Sequence, residues 1–166
     1  NAIAYDIREK GRIKREGEKL SGAIIKDADG TTLWTPGALK HVKAIGWFIE
    51  EYGITQVTMN LTNIKETPFH IAYDETLKKA AARGVHVTGS ELIGLVPKNA
   101  MLEAGKYFLR KQERSTGVQE SELIKIAIKS MGLDELSPFN PKDRIIEYML
   151  EDGEQKKLVD LSLTEF

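Results

Sequence analysis

The 166-residue chain is 41% hydrophobic and 30% charged, a balance that suits one globular domain around a single core. Its 24 Lys and Arg against 25 Asp and Glu leave a formal net charge of -1, which offers no general attraction to nucleic acid or to an anionic membrane surface. Without cysteine there is no disulfide scaffold and no thiolate metal site, in keeping with a cytoplasmic setting, and no apolar run approaches the roughly 18 residues that cross a bilayer.

The chain opens on Asn1 and runs straight into NAIAYDIREKG, where Ile3, Tyr5 and Ile7 lie close together on a helix that Gly11 ends. With no Met and no signal-peptide pattern, this opening reads as a chain cut inside a larger fold. Residues 12–37 are polar and charged, and within them AIIKDADGTTLW has two short apolar arms around Asp29 and Gly30, the mark of a hairpin. A calcium loop starting at Asp27 would need a bidentate Glu at its twelfth position; Ala38 stands there, so a solvated hairpin is preferred to a metal site. Pro36 and Gly37 close this excursion.

VKAIGWFIEEYG fits two patterns. Val42, Ile45, Ile49 and Tyr52 match a helical stripe, while Ile45, Trp47 and Ile49 alternate; Gly46, the aromatic content and the stop at Gly53 favour the strand. TQVTMNLT alternates cleanly, with Val57, Met59 and Leu61 on a core face and Gln56, Thr58, Asn60 and Thr62 on a polar one. Thr67 as N-cap and Pro68 as first-turn residue then open a helix with Phe69, Tyr73, Leu77 and Ala80 inward and Gly84 as its stop. VHVTGSELIGLVP reads as a further strand, although Thr88, Gly89, Ser90 and Glu91 interrupt it where packing would call for Val or Ile. Helices follow over KNAMLEAGKYFLRKQ, with Met101, Ala104, Gly105 and Phe108 inward, over ESELIKIAIKSMG, and after Asn140 and Pro141, with Ile145, Ile146 and Met149 inward. The tail from Lys156 to Phe166 is expected to add a short one.

The order helix, strand, strand, helix, strand, helix predicts an α/β fold of the α+β type, a ferredoxin-like mixed sheet with helices on one face, lacking its first strand and extended by carboxyl-terminal helices. The polar face carrying Thr58, Asn60, Thr88 and Ser90 is then open for a partner.

Three long segments in order, VKAIGWFIEEYGITQVTMNLTN, VTGSELIGLVPKNAMLEAG and SPFNPKDRIIEY, resemble the carboxyl-terminal subdomain of the glutamate formimidoyltransferase family, the formiminotransferase part of the formiminotransferase-cyclodeaminases. The likeness spans residues 1–166, with 12–37 as a variable insertion. It implies a folate-dependent transferase of histidine breakdown, in which two similar subdomains face each other sheet to sheet with tetrahydrofolate between them. The partners it implies are an amino-terminal formiminotransferase subdomain, tetrahydrofolate, formimidoylglutamate and a second copy of the chain. The proton-transferring histidine of that family belongs to the amino-terminal subdomain, so no catalytic residue is assigned here and this half by itself is expected to be inactive.

The folate-site candidates are Asn60, Thr88, Gly89, Ser90, Glu91 and Trp47. Asn60 presents a donor and an acceptor suited to a pterin amide or a carboxylate, or else a cross-strand hydrogen bond; Trp47 is either a core or interface residue or a ligand platform. Gly89 and Gly94 suit bulges that allow close backbone approach. His70 is read as a surface or capping residue, His41 and His86 as strand-face surface residues, and Lys40 and Lys43 as solvated lysines that a substrate carboxylate would also suit. Two readings compete: a ligand-binding regulatory or dimerisation module without catalysis, and an RNA-binding sheet, which the neutral, small residues of the open face disfavour.

Overall fold

The computed structural model describes residues 1–18 and 21–153; the helix expected from Lys156 onward lies outside them. It is an α+β structure that divides into two compact units, Asn1–Val87 and Thr88–Phe166, each burying its own apolar residues where composition suggested a single core.

The first unit is built on helix α1 (Ala2–Ile7), the short strands β1 (Arg12–Ile13) and β2 (Trp34–Thr35), the longer strands β3 (Val42–Ile49) and β4 (Ile54–Leu61), and helix α2 (Phe69–Ala81). β3 and β4 form an antiparallel hairpin with Val42 opposite Leu61, Lys43 opposite Asn60, Ile45 opposite Thr58 and Trp47 opposite Gln56. Alternation along both strands sends Val42 and Ala44, with Val57, Met59 and Leu61, against Ala4 and Ile7 of α1 and Ala72 of α2. Helices therefore cover one face of the hairpin, as expected. Gly46 is required by this packing: a Cβ there would lie 2.6 Å from the backbone nitrogen of Asn1, whose side-chain Oδ1 accepts the Gly46 N–H at 3.0 Å.

The polar insertion forms the predicted hairpin. Asp27 closes its turn by accepting the N–H groups of Asp29 at 3.0 Å and Thr31 at 2.8 Å, so this carboxylate serves the backbone. Asp6 pairs with both Arg12 and Arg83, tying α1 to β1 and to the chain beyond α2. The entry to α2 differs from expectation. Thr67 is buried and donates its hydroxyl to the Lys40 carbonyl at 2.7 Å, leaving Pro68 as an N-cap without a side-chain bond. The fully buried line of α2 runs through Ala72, Thr76 and Ala80, while Phe69, Tyr73 and Leu77 are only half-buried, because the small side chains are the ones that fit close against the hairpin. His70 is likewise buried, 6% exposed, with its ring edge-to-face against Phe69, and is not the surface residue the sequence suggested.

The second unit pairs helices α3 (Lys98–Lys111) and α4 (Glu120–Met131). Met101, Ala104, Gly105, Phe108 and Leu109 meet Leu123, Ile124, Ala127, Ile128 and Met131, and Gly105 brings α3 so near the Leu123 carbonyl that any Cβ would collide with it. Gly132, at φ 56°, ends α4 in the left-handed conformation. Asn140 caps helix α5 (Pro141–Arg144) by accepting the Lys142 N–H. Ile145 then interrupts the helix, which resumes over 146–153; Ile145 is fully buried while Ile146 and Met149 are exposed, so only one of the three predicted inward residues is inward.

The strand expected over Val85–Pro97 does not form a ladder. Among the described residues the sheets are antiparallel and two-stranded, and this segment adds a single parallel bridge, Val96 to Ile145. Its alternating apolar residues have no strand edge to join: Val85, Ile93 and Leu95 are exposed, and the Ser90 N–H goes to the carbonyl of Gly132 at 3.1 Å.

Candidate functional site

A hairpin with one face packed on helices presents its other face as a flat display of every second residue. On β3 those residues are Lys43, Ile45 and Trp47; on β4 they are Gln56, Thr58 and Asn60. Ile45 and Trp47 are 59% and 58% exposed, a large apolar area left uncovered between polar neighbours. Residues of this size and chemistry, side by side on a rigid element, suit contact with a flat, partly aromatic molecule or with another protein surface.

The face has two ends. Around Trp47 the polar groups satisfy one another, since the indole Nε1 donates to Gln56 Oε1 at 3.0 Å and Thr58 Oγ1 donates to the same oxygen at 3.3 Å. The indole ring is thereby held in place. At the other end Lys43 and Asn60 are exposed and face each other in register, and their side chains make no ion pair or hydrogen bond with any described residue. The backbone beside them is unusually constrained. His41 holds φ 55° although it is not glycine; its N–H donates to Glu9 Oε2 at 3.0 Å, and its carbonyl accepts both the N–H of Thr62 at 2.9 Å and the Thr62 hydroxyl at 3.0 Å.

Of the six sequence-predicted site residues, Trp47 and Asn60 stand together on this face. Thr88, Gly89, Ser90 and Glu91 are consecutive in the second unit, and two of them are engaged there by packing. A Cβ on Gly89 would lie 2.7 Å from the Gly132 carbonyl oxygen, and the Ser90 hydroxyl donates to the Met131 carbonyl at 2.7 Å, completing the end of α4. Thr88 and Glu91 are exposed. Glu91 borders a crevice with Leu133, Phe139 and Arg144 whose free volume, about 10 Å³, holds no more than a water molecule. The turn that Ser90 contacts is braced by Lys129, which pairs with Asp134 at 2.5 Å and holds that carboxyl below its usual range chiefly through this hydrogen bond.

A larger concavity, about 490 Å³, is bounded by Asn140, Lys142, Tyr148, Glu151 and Asp152. Its polar groups are partly spent on one another, with Asn140 on the Lys142 backbone and on Asp143 and the Lys142 ammonium on Asp152. Nearby, Lys98 pairs with Glu120 at 3.2 Å, the contact that principally raises its pKa, and lies over the Tyr148 ring.

Two features of the exposed face were missed in the sequence. In sequence Ile45 belongs to both a helical stripe and an alternation and carries no site signal, yet its exposure makes it half of the apolar surface; the signal lies in its phase with Trp47, opposite to that of Val42 and Ala44. The constrained backbone of His41 had no sequence signal, because it follows from the tertiary contacts of Glu9 and Thr62.

Comparison with known proteins bears on the same residues. The model of the formiminotransferase domain matches residues 1–151. The chain is similar to the formimidoyltransferase-cyclodeaminase of Gallus gallus, at 42% identity over 155 residues covering 93% of this chain and 25% of that one, and to that of Rattus norvegicus, at 37% over 165 residues covering 99% and 27%. It is also similar to the glutamate formimidoyltransferase of Thermoplasma acidophilum, at 35% over 109 residues covering 65% and 33%. The chain thus spans a quarter to a third of the length of these relatives, and no helix among its described residues is long and apolar enough to cross a membrane. With the match extending over most of its length, the chain belongs to the formiminotransferase domain family.

Proposed function

We propose that this chain is the carboxyl-terminal half of a folate-dependent glutamate formimidoyltransferase, acting in the cytoplasm in histidine degradation, and that the outer face of β3 and β4 forms one wall of its folate cleft. The observation that carries this reading is the exposure of Ile45 and Trp47 on the same face as Thr58 and Asn60, a face that no described helix of the unit covers. The names of the relatives support the transferase class. Thr88, Gly89, Ser90 and Glu91 of the second unit are proposed to contribute to folate binding, with Gly89 and Ser90 shaping the local backbone and Thr88 and Glu91 offering exposed polar groups.

In the reaction, an amine nitrogen of tetrahydrofolate attacks the amidine carbon of N-formimidoyl-L-glutamate, and the glutamate nitrogen leaves as a protonated amine. The acceptor nitrogen gives up a proton and the leaving nitrogen gains one, so a group titrating near neutrality serves both transfers, at a gain of about 10² to 10⁴ in rate. We assign that group to the amino-terminal half. The present half contributes orientation, holding a flat ring against Ile45 and Trp47 so that the reacting atoms meet.

The test is turnover of formimidoylglutamate and tetrahydrofolate by the purified chain, alone and after addition of the separately produced amino-terminal half. No turnover alone and restored turnover in the mixture is the expected result. Turnover by the chain alone would overturn the division of labour, and a mixture that assembles yet binds no tetrahydrofolate would overturn the folate reading.

A further inference from the structure

The chain contains two Asp–Gly dipeptides, Asp29–Gly30 and Asp152–Gly153, and the fold holds them differently. In such a pair glycine has no Cβ to hinder its nitrogen as it approaches the preceding carboxyl, so ring closure to an imide is limited mainly by how freely the backbone turns. Asp29 lies at the exposed tip of the insertion hairpin, beyond the Lys26–Thr32 bridge, in a turn where Gly30, at φ 80°, donates its N–H to the Asp27 carbonyl at 3.1 Å. Asp27 is the carboxylate that serves this turn; the Asp29 carboxylate makes no hydrogen bond or ion pair with any described residue, and no atom lies within 4 Å of where a Cβ on Gly30 would stand. Asp152, by contrast, is half-buried in the helix over 146–153 and pairs with the Lys142 ammonium at 3.6 Å. Turning the backbone at Asp152 breaks helical hydrogen bonds and that ion pair, whereas at Asp29 it costs one exposed turn bond, and loop tips open at little free energy.

From this contrast we propose that Asp29–Gly30 is a site of spontaneous isoaspartate formation, and that the converted chain is a substrate for isoaspartyl-specific carboxyl methyltransferases, which use S-adenosylmethionine. In the closing step the Gly30 nitrogen attacks Asp29 Cγ; the N–Cγ bond forms, and the amide proton leaves with the carboxyl oxygen as water. Water then adds to one of the two imide carbonyls. Opening at the side-chain carbonyl restores aspartate, while opening at the main-chain carbonyl leaves the chain running through Cγ and frees the α-carboxylate. The loss and gain of water balance, so the mass is unchanged and no oxidant or cofactor takes part. That freed carboxylate is the methyl acceptor: an O–CH3 bond forms as the S–CH3 bond of S-adenosylmethionine breaks and S-adenosylhomocysteine leaves. The β-linkage adds one carbon to the main chain between residues 29 and 30, so the Gly30 N–H no longer meets the Asp27 carbonyl in the turn geometry it now holds.

The experiment ages the full-length protein at neutral pH in water labelled with heavy oxygen, folded and in urea, and maps peptides by electron-transfer fragmentation, which separates α from β linkages. Each imide event leaves a heavy oxygen at the residue whichever way the ring opens. In urea both dipeptides should take up label. In the folded protein the Asp29 rate should lie within about tenfold of its rate in urea, because a hairpin tip opens readily, while the Asp152 rate should fall much further below its own. Asp29→Glu, an exposed substitution that keeps the charge and replaces the five-membered ring by a slower six-membered one, should abolish labelling at this position and methyl incorporation from S-adenosylmethionine by an isoaspartyl methyltransferase, with circular dichroism unchanged. Labelling of Asp29 in urea but not in the folded protein would overturn the proposal, since the turn would then protect it. Equal folded-state labelling of Asp152 would remove its structural basis, and methyl incorporation that survives in Asp29→Glu would place the methyl-accepting site elsewhere.

Discussion

Ser90 shows how a single residue can complete the scaffold through its side chain and its backbone at once. Its hydroxyl satisfies the Met131 carbonyl at the end of α4, where helix geometry leaves that group without an intrahelical partner, and its N–H satisfies Gly132. Ser90→Ala removes the first of these bonds from a half-buried position and should lower stability by about 1 kcal/mol, read as a shift in the urea midpoint with no change in slope. Full stability in that variant would show that water replaces the hydroxyl. His70 carries a related lesson. Two residues after Pro68 it looked like a surface or capping group, yet the first turn of α2 turns it into the unit's interior against Phe69. Local pattern identifies the helix; which of its faces is buried depends on what packs against it.

At the level of elements, the closest fit in the second unit is between α3 and α4. Gly105 sits at the crossing, where the Leu123 carbonyl occupies the space a Cβ would need. In an isolated helix Gly→Ala gains stability, by about 1 kcal/mol. Here the contact reverses the sign: Gly105→Ala must push the helices apart and should destabilise the chain by about 1 to 3 kcal/mol, measured by thermal or denaturant unfolding. A stabilised variant would mean that the two helices yield without loss. The β3–β4 hairpin behaves differently, because its inner face is filled by medium-sized side chains and its single close approach, Gly46 against Asn1, lies at one point along β3. That division leaves its outer face outside the packing of the unit, with Ile45 and Trp47 exposed.

For the whole molecule the notable property is how much apolar surface is uncovered. Ile45, Trp47 and Phe48 are exposed in the first unit, and Ile93, Leu95 and Leu150 in the second. Hydrophobic surface of this extent promotes association, and the modest net charge of -1 does little to oppose it. The isolated chain should therefore form dimers or larger species whose proportion rises with concentration in light scattering. A strict monomer at the highest attainable concentration would show that these residues are too dispersed to act as one surface.

Amino-acid pattern alone determined the elements whose signals are local. The period-two alternation of TQVTMNLT and the polar row containing Asn60 emerge as β4 and its exposed face, the apolar arms around Asp29 and Gly30 as a hairpin, and the spacing of Met101, Ala104, Gly105 and Phe108 as the buried side of α3. Each depends on residues within a few positions of one another. Tertiary structure decided the rest. VHVTGSELIGLVP has the composition of a strand, but a ladder requires a neighbouring edge, and its backbone instead meets Gly132 and Ile145. Ile146 and Met149 keep helical spacing with Ile145, yet the helix breaks at Ile145, so the stripe loses its phase. The contrast between a self-satisfied Trp47 and an unengaged Lys43 was equally hidden, because it arises from the register of β3 on β4 and from which cross-strand neighbour each side chain meets.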